Sequence, residues 1–510
     1  MSKTLKNKIT HMGIHPFLFG VFFIISLFLN NIRALSINEI IVPLIFSIGL
    51  IGGIWVLFNF IFKNKFHASL LLSLFVIVFF SYGHTYLEID HFIINDIDVG
   101  RHSILLIPFV SLLLIGTLFL IKTQKKLDNV TIITNTVSFA LVLIVLLNIG
   151  MFNLENNFEI SSDKNFDSPL TVDFIEDLPD IYYIILDGYP GYHSLKLSGY
   201  DNNEFYNYFE EHNFSASKNS FSNYRQTYLS IPSALNMEYL HPLAVQDNSQ
   251  YPRPLHILGN ENKLMSFFQS HGYQVVNFDS GWSFSRDMKY ANLQLCGDNQ
   301  FMNSEFIIML TKTSLLNPIY VKFFENDKVQ MKLCVFEELP KINNRVNEPV
   351  FVFAHMLLPH PPYLFGPNGE ILPPKNLDLE SDLDESESLY LDQVTFANKK
   401  IISVVDQLLD SPNPPIIVIQ SDHGSSFLMD KSDWDTPDNE MLLERMNNIN
   451  FIYLPSNSDI IYEGITPVNT FRIILNQYFG TNMEVLEDKS YIFNGTDFED
   501  VTYKLKNMVD

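Results

Sequence analysis

The pattern of apolar and polar positions changes near residue 151. Before that point, runs of Leu, Ile and Phe with almost no charge cover roughly Pro16–Asn30, Ile40–Phe62, Ala68–Leu87, Ile104–Ile121 and Val130–Met151. Most reach the ~20 residues needed to cross a hydrocarbon core, the first being marginal, and they predict five transmembrane helices. Beyond it, short apolar runs alternate with amphipathic stretches. The runs IYYIILD (181–187), YQVVNFD (273–279), VFVFAH (350–355), PIIVIQ (415–420) and NFIYLP (450–455) read as strands. NNEFYNYFEEH, NKLMSFFQSHG, Leu389–Leu409 and PVNTFRIILNQYF read as helices. Runs of four or more consecutive apolar, β-branched or aromatic residues describe strands buried on both faces. The expected architecture is therefore a five-helix transmembrane domain (1–151), a polar juxtamembrane linker (152–178), and an α/β domain (179–510). The α/β domain has a mostly parallel central sheet covered by helices.

Charge orients this layout. Lys3, Lys6 and Lys8 precede the first run, Lys63 and Lys65 occupy the second connection, and Lys122, Lys125 and Lys126 the fourth. The first and third connections offer only Arg33 and Arg101. This asymmetry predicts a plasma-membrane protein with a cytoplasmic N-terminus and an extracellular or periplasmic α/β domain. A cleaved signal peptide is the rival for the first run, but no small-residue cleavage site follows it. The net charge of −24 is unevenly divided: residues 1–151 hold ten basic and six acidic residues, the remainder 23 and 51. So acidic an exterior half is not expected to bind nucleic acid. Its two cysteines, Cys296 and Cys334, either pair in an oxidising compartment or remain buried thiols.

Candidate chemistry sits at the strand ends. IYYIILD ends at Asp187, and PPIIVIQSDHG ends in Asp422-His423. Ligands of open α/β sheets bind beyond the carboxyl ends of strands, where two carboxylates and an imidazole make a divalent-metal site. Thr227 precedes an apolar-periodic stretch in which Pro232 fits an early helical turn. A hydroxyl there suits a nucleophile attacking a phosphoryl centre, although a lone Thr is more commonly an ordinary N-cap. His355 and His360 follow another strand, the second among Pro359, Pro361 and Pro362. They are placed to bind oxyanions or protonate a leaving oxygen, although either alone is more commonly structural.

With these elements in order, the chain resembles the alkaline phosphatase/sulfatase superfamily. It is most similar to the membrane-anchored branch of lipoteichoic acid synthases and lipid A phosphoethanolamine transferases. The resemblance rests on LDGYPG with Asp187, TYLSIPSALN with Thr227, SDHG with Asp422 and His423, and His355 and His360 five apart, behind five apolar runs. It implies a metal held by Asp187, Thr227, Asp422 and His423, Thr227 as nucleophile, and His360 and His355 assisting. It further implies a phospholipid donor (phosphoethanolamine or phosphoglycerol type), a glycan or glycolipid acceptor, and a phospho-threonine intermediate. Asp/His/Thr ligation suits Zn2+ or Mn2+. The alternatives are a membrane phosphodiesterase or phosphatase with water as acceptor, another sulfatase-like hydrolase, and a non-catalytic envelope-binding protein. Asp187 stands where the transferases usually carry Glu, and no His follows His423. The sulfatase signature Cys/Ser-x-Pro-x-Arg is absent, since Cys296 is followed by Gly-Asp-Asn, which disfavours sulfate-ester hydrolysis.

Overall fold

A computed structural model describes residues 13–32, 35, 37–89, 92–94, 97–123, 125–155, 178–241, 258–280, 288–297, 305–372, 383–426, 437–455, 460–493 and 497–509. The expected linker, 152–178, lies almost entirely outside them. The chain divides into two compact units, one built on the apolar helices and one on the sheet.

The helical unit contains α1 (His15–Asn30), α2 (Ile37–Phe62), α3 (Lys65–Ile89), α4 (His102–Lys122) and α5 (Asp128–Glu155). The last four are long and apolar enough to cross a membrane; α1, at 16 residues, is shorter. Apolar side chains on α2 and α4, such as Phe46, Phe60, Ile115 and Phe119, are exposed, as lipid-facing residues must be. Inside, Ile24, Phe28 and Leu72 form a core that also buries Phe306 of a helix far along the chain, Glu305–Lys312. The backbone at the end of that helix passes so close to α3 that a Cβ on Gly83 would lie 2.2 Å from the Lys312 carbonyl. Only a residue without a side chain permits that approach.

The second unit is organised by seven strands: β1 (Ile181–Leu186), β2 (Ser215–Ala216), β3 (Gln274–Phe278), β4 (Leu293–Leu295), β5 (Val350–Met356), β6 (Ile416–Ser421) and β7 (Asn450–Tyr453). Their order across the sheet is β2-β7-β6-β1-β5-β3-β4. The pairs β6-β1-β5-β3-β4 are parallel, while β7 runs antiparallel to β6 and to β2. Every residue of β1 is buried. Tyr182, Ile184 and Leu186 enter one core, which includes Phe205, Phe209, Val394 and Val405. Ile181, Tyr183 and Ile185 enter the other, with Ile231, Phe268, Phe471 and Phe479. Burial on both faces explains why the strand shows no polar alternation.

Helix boundaries follow local chemistry. Asn262 caps Lys263–Ser270 by accepting from Met265 N–H, and Pro467 opens Pro467–Phe479, where its missing donor costs nothing. The helix expected over Leu389–Leu409 begins earlier, at Leu383. The cysteines pair: Cys296, just after β4, is disulfide-bonded to Cys334 on the helix Asn317–Glu338.

Candidate active site

Sheet register sets the geometry. Leu186 pairs with both Met356 and Ser421, so β1, β5 and β6 end level with one another. Side chains alternate along a strand. Asp187 therefore continues the face carrying Tyr183 and Ile185, Asp422 continues that of Val418 and Gln420, and His355 follows Phe351 and Phe353. That face is covered by the helix Thr227–Asn236, whose Ile231, Ala234 and Leu235 pack into the same core. The helix begins at the site. Gln226 is its N-cap and Thr227 its first residue, so Thr227 does not act as a cap. Pro232 lies in the second turn rather than the first, because the helix starts at Thr227 itself.

One ligand atom each from Asp187, Asp422 and His423 lies within 4.8 Å of the others, and all three residues are buried. Thr227 Oγ1 is 2.9 Å from His423 Nε2. His423 Nδ1 is 2.9 Å from the Gly424 carbonyl. A carbonyl only accepts, so Nδ1 carries the proton and Nε2 presents its lone pair to the site. That lone pair lies 3.1 Å from Asp422 Oδ2. Asp422 Oδ1 is occupied by the N–H groups of Gly188 and His423, and Asp187 Oδ2 has His355 Nε2 at 3.2 Å, while Asp422 Oδ2 and Asp187 Oδ1 are buried without a donor among the described residues. Buried carboxylate oxygens and an imidazole lone pair converging in this way fit a divalent cation, which would satisfy all of them at once.

The electrostatics carry the same tension. Burial, then the charge of Asp187, pushes the Asp422 carboxyl up to about 7. Burial acts on Asp187 in the same sense, but His360 and the hydrogen-bonded His355 hold it well below the usual carboxylate range. Burial, then the Arg445 guanidinium, keeps His423 neutral, the form that ligates metal.

The two remaining histidines occupy different places. His355 is inside β5, buried, with Nε2 3.2 Å from Asp187 Oδ2. The expected position just past the strand end is corrected: β5 runs to Met356, and its inward face delivers the imidazole to the first carboxylate. His360 lies exposed in the following loop; its N–H donates to the Asp187 carbonyl at 3.2 Å, and its ring comes within 4.0 Å of a Cβ placed on Gly188. Gly188 itself turns the chain at φ +66°, a conformation that favours glycine.

Sequence reasoning missed two cations. Arg445, on the helix Asn439–Met446, brings Nη2 to 3.0 Å from His423 Nε2. Lys332, buried on the disulfide-bonded helix, donates from Nζ to the Leu357 carbonyl and, at 3.4 Å, to that of His360. A single basic residue on an amphipathic helix carries no local signal of such a role. For Arg445, the absence of a further histidine after Asp-His was the one available hint that another residue fills that side.

A family model described as Sulfatase matches residues 179–453. No curated protein matches. Among solved structures, the chain is similar to the zinc complex of the C-terminal periplasmic domain of EcEptC from Escherichia coli (12% identity, 65% of this chain and 94% of that one, TM-score 0.44). It is also similar to the C-terminal periplasmic domain of phosphoethanolamine transferase EptC from Campylobacter jejuni (15%, 61% and 92%, 0.40). Over more of its length it is similar to the integral membrane protein lipooligosaccharide phosphoethanolamine transferase A from Neisseria meningitidis (11%, 91% and 93%, 0.40).

Proposed function

We propose that this chain, which belongs to the sulfatase family, is a membrane transferase. It moves a phosphorylated head group from a phospholipid to an envelope glycan or glycolipid through a phospho-threonine intermediate. The observation that carries this reading is a buried hydroxyl, Thr227 Oγ1, at the first residue of a helix and 2.9 Å from the imidazole nitrogen of the Asp187–Asp422–His423 cluster. A threonine cannot become formylglycine, so the nucleophile favours phosphoryl over sulfuryl chemistry.

Asp187, Thr227, Asp422 and His423 would hold a divalent cation, Zn2+ or Mn2+. When bound, it lowers the pKa of the Thr227 hydroxyl and polarises a phosphoryl oxygen. Thr227 Oγ1 loses its proton to water and attacks the phosphorus of the phospholipid diester. The bond to the diacylglycerol oxygen breaks, and His360, exposed beside the site, protonates the departing oxygen. An acceptor hydroxyl then attacks the phosphorus, giving its proton to the His360 imidazole that the first step left neutral; the bond to Oγ1 breaks, Oγ1 regains a proton from water, and the head group leaves on the acceptor. The first N–H groups of the Thr227 helix favour the anionic intermediate. His355, held against Asp187, orients that carboxylate. The apolar helices keep the enzyme where its lipid donor is found, with the sheet domain on the extracellular or periplasmic side. The distribution of lysines and the Cys296–Cys334 disulfide, which belongs to an oxidising compartment, both support that side.

The test is intact-mass spectrometry of the full chain in phospholipid–detergent micelles with Zn2+ or Mn2+. The expected result is a mass increment on Thr227 equal to one phosphorylated head group, with release of diacylglycerol. Lipid turnover without such an adduct overturns the covalent scheme. Rapid hydrolysis of a chromogenic phosphodiester without any acceptor makes the protein a phosphodiesterase instead.

A further inference from the structure

We propose that residues 305–319 form a re-entrant segment that dips into the bilayer, turns there and leaves on the side it entered, with Leu316 and Ile319 set against lipid acyl chains. The inference holds whichever group Thr227 transfers.

From Phe306 to Val321 the chain carries one charged residue, Lys312, although this stretch lies far beyond the five apolar runs. A soluble core would also allow that composition, so placement has to decide. Residues 299–325 belong to the helical unit, while the chain before and after them belongs to the sheet unit. The two ends of the excursion are tied together by the Cys296–Cys334 disulfide. The chain therefore goes out and comes back on one side, and its short helix, Glu305–Lys312, is too brief to cross a hydrocarbon core.

The excursion reaches deep along α3. Phe306, Met309 and Leu310 pack on the core shared by α1, α2 and α3. Past the end of that helix, the Leu315 N–H donates to the Phe79 carbonyl of α3 at 2.7 Å. Phe79 stands ten residues before Ile89, where α3 ends, about 15 Å along the axis. Since α3 is long and apolar enough to span, the turn lies well inside a hydrocarbon core ~30 Å thick. The missing side chain of Gly83 is what lets its backbone come so close.

Irregular backbone at that depth survives only if the protein itself satisfies its polar groups. Here it does. Thr313 N–H donates to the Met309 carbonyl, Ser314 to Thr311, Leu315 to Phe79, Asn317 to Ser314 and Ile319 to Leu316. Leu316 N–H donates to Ser314 Oγ at 3.2 Å, and Pro318 has no N–H to place. The hydroxyls of Thr311, Thr313 and Ser314 and the Asn317 amide nitrogen donate to carbonyls of the same segment, at 2.7–3.0 Å. Lys312 is half-buried and engaged within the protein, so no bare charge enters lipid. Leu316 and Ile319, by contrast, are 42% and 48% exposed, like the lipid-facing side chains of α2 and α4 in the same unit. A turn that asks nothing of water and presents leucine and isoleucine outward fits acyl chains.

The test uses the full chain in vesicles of phosphatidylethanolamine and phosphatidylglycerol. Its native cysteines stay paired, and a nitroxide label is placed on Leu316→Cys or Ile319→Cys. Ile115→Cys on α4 is the lipid-facing reference; Tyr503→Cys, exposed on the helix Thr502–Val509, is the aqueous one. The readout is the ratio of collisions with oxygen, which partitions into hydrocarbon, to collisions with a water-soluble nickel chelate. At Leu316 and Ile319 the ratio is expected to match that at Ile115 and to exceed that at Tyr503 severalfold. A ratio equal to that at Tyr503 overturns the proposal. So does shielding from both reagents, which would mean that a second copy or another protein covers the patch. Should the labelled variants not fold, the unmodified protein decides. In vesicles whose lipids carry a diazirine on the acyl chain, photolysis is expected to attach lipid to the peptide holding Leu316 and Ile319. Adducts confined to the five apolar helices overturn the proposal.

Discussion

Thr227 and His423 are 196 residues apart in the chain, yet Thr227 Oγ1 lies 2.9 Å from His423 Nε2. The contact joins the start of a helix to the turn after a central strand, and it brings a hydroxyl to the imidazole nitrogen that groups with the Asp187 and Asp422 carboxylates. Several measurable consequences depend on it.

Thr227→Ala is expected to abolish the covalent adduct and reduce turnover by at least about a thousandfold, the scale of losing a nucleophile. Because Gln226 rather than Thr227 caps the helix, the folded state loses only about 1 kcal/mol or less. Thr227→Ser retains adduct formation. Intact-mass spectrometry beside thermal unfolding separates the two effects; a large loss of stability in Thr227→Ala would assign Thr227 a structural role.

Asp422→Asn is expected to act in opposite directions on the two forms of the protein. Without metal, the variant no longer buries one carboxylate beside another, and its melting temperature rises. With metal, it loses the stabilisation that a ligated cation gives, about 2.7 kcal/mol at a hundredfold excess over Kd. Thermal unfolding with and without zinc reads both signs. A variant with an unchanged zinc-dependent shift would remove Asp422 from the ligand set.

Zinc affinity should depend on pH through Asp422. Its folded-state value is raised from 3.8 to about 7 by burial and by Asp187. The metal-free fold therefore gains from protonation of this group at low pH and loses that contribution as pH rises through 7. Binding a cation must displace that proton, while His423 is already neutral. Affinity is thus expected to fall about tenfold per pH unit below about 7 and to level off above it. Calorimetric titration between pH 5.5 and 8.5, chosen as roughly the window around that value, checks the slope; a flat profile contradicts the assignment.

The disulfide closes a loop of 38 residues between Cys296 and Cys334. Replacing both cysteines with serine should cost about 3–4 kcal/mol on chain-entropy grounds. It should also loosen the helix that carries Lys332, whose Nζ holds the Leu357 and His360 carbonyls. Urea unfolding of the full chain, with and without reductant, measures the first effect. Activity that falls on reduction while the sheet domain remains folded would report the second.

Gly424 tolerates no side chain. A Cβ there would lie 2.1 Å from the Glu444 carbonyl oxygen and 3.0 Å from that of Asn447, both backbone atoms of the segment that follows the site. Gly424→Ala is expected to destabilise by about 1–3 kcal/mol and to weaken zinc binding by displacing His423. Normal zinc binding in this variant would show that the turn moves without carrying the imidazole.

Much of the fold was legible locally. The long apolar runs of the first third are helices at close to the expected limits, because a segment that must satisfy its backbone in lipid has no choice but to be uniformly apolar. The strands leading to Asp187 and Asp422, and the strand that carries His355, were legible for a similar reason, since burial on both faces favours a run of apolar residues. Other features left no such trace. β2 is two residues long, and β7 reads like its parallel neighbours although it runs antiparallel. The helix Glu305–Lys312 gives no sign in its sequence that Phe306 is buried among the apolar helices.

The sequence by itself determined which segments are apolar throughout, which residues stand at the ends of the central strands, and that these include acids, imidazoles and a hydroxyl. Hydrophobic periodicity reports how much of a segment's own surface is buried, and that quantity is local. Tertiary structure alone decided that β6, β1 and β5 are neighbours in level register, that His355 faces Asp187 from within a strand, and that Arg445 reaches His423. Those distances arise from strand order and helix placement, which depend on contacts between segments tens to hundreds of residues apart and leave no periodic mark on any one of them.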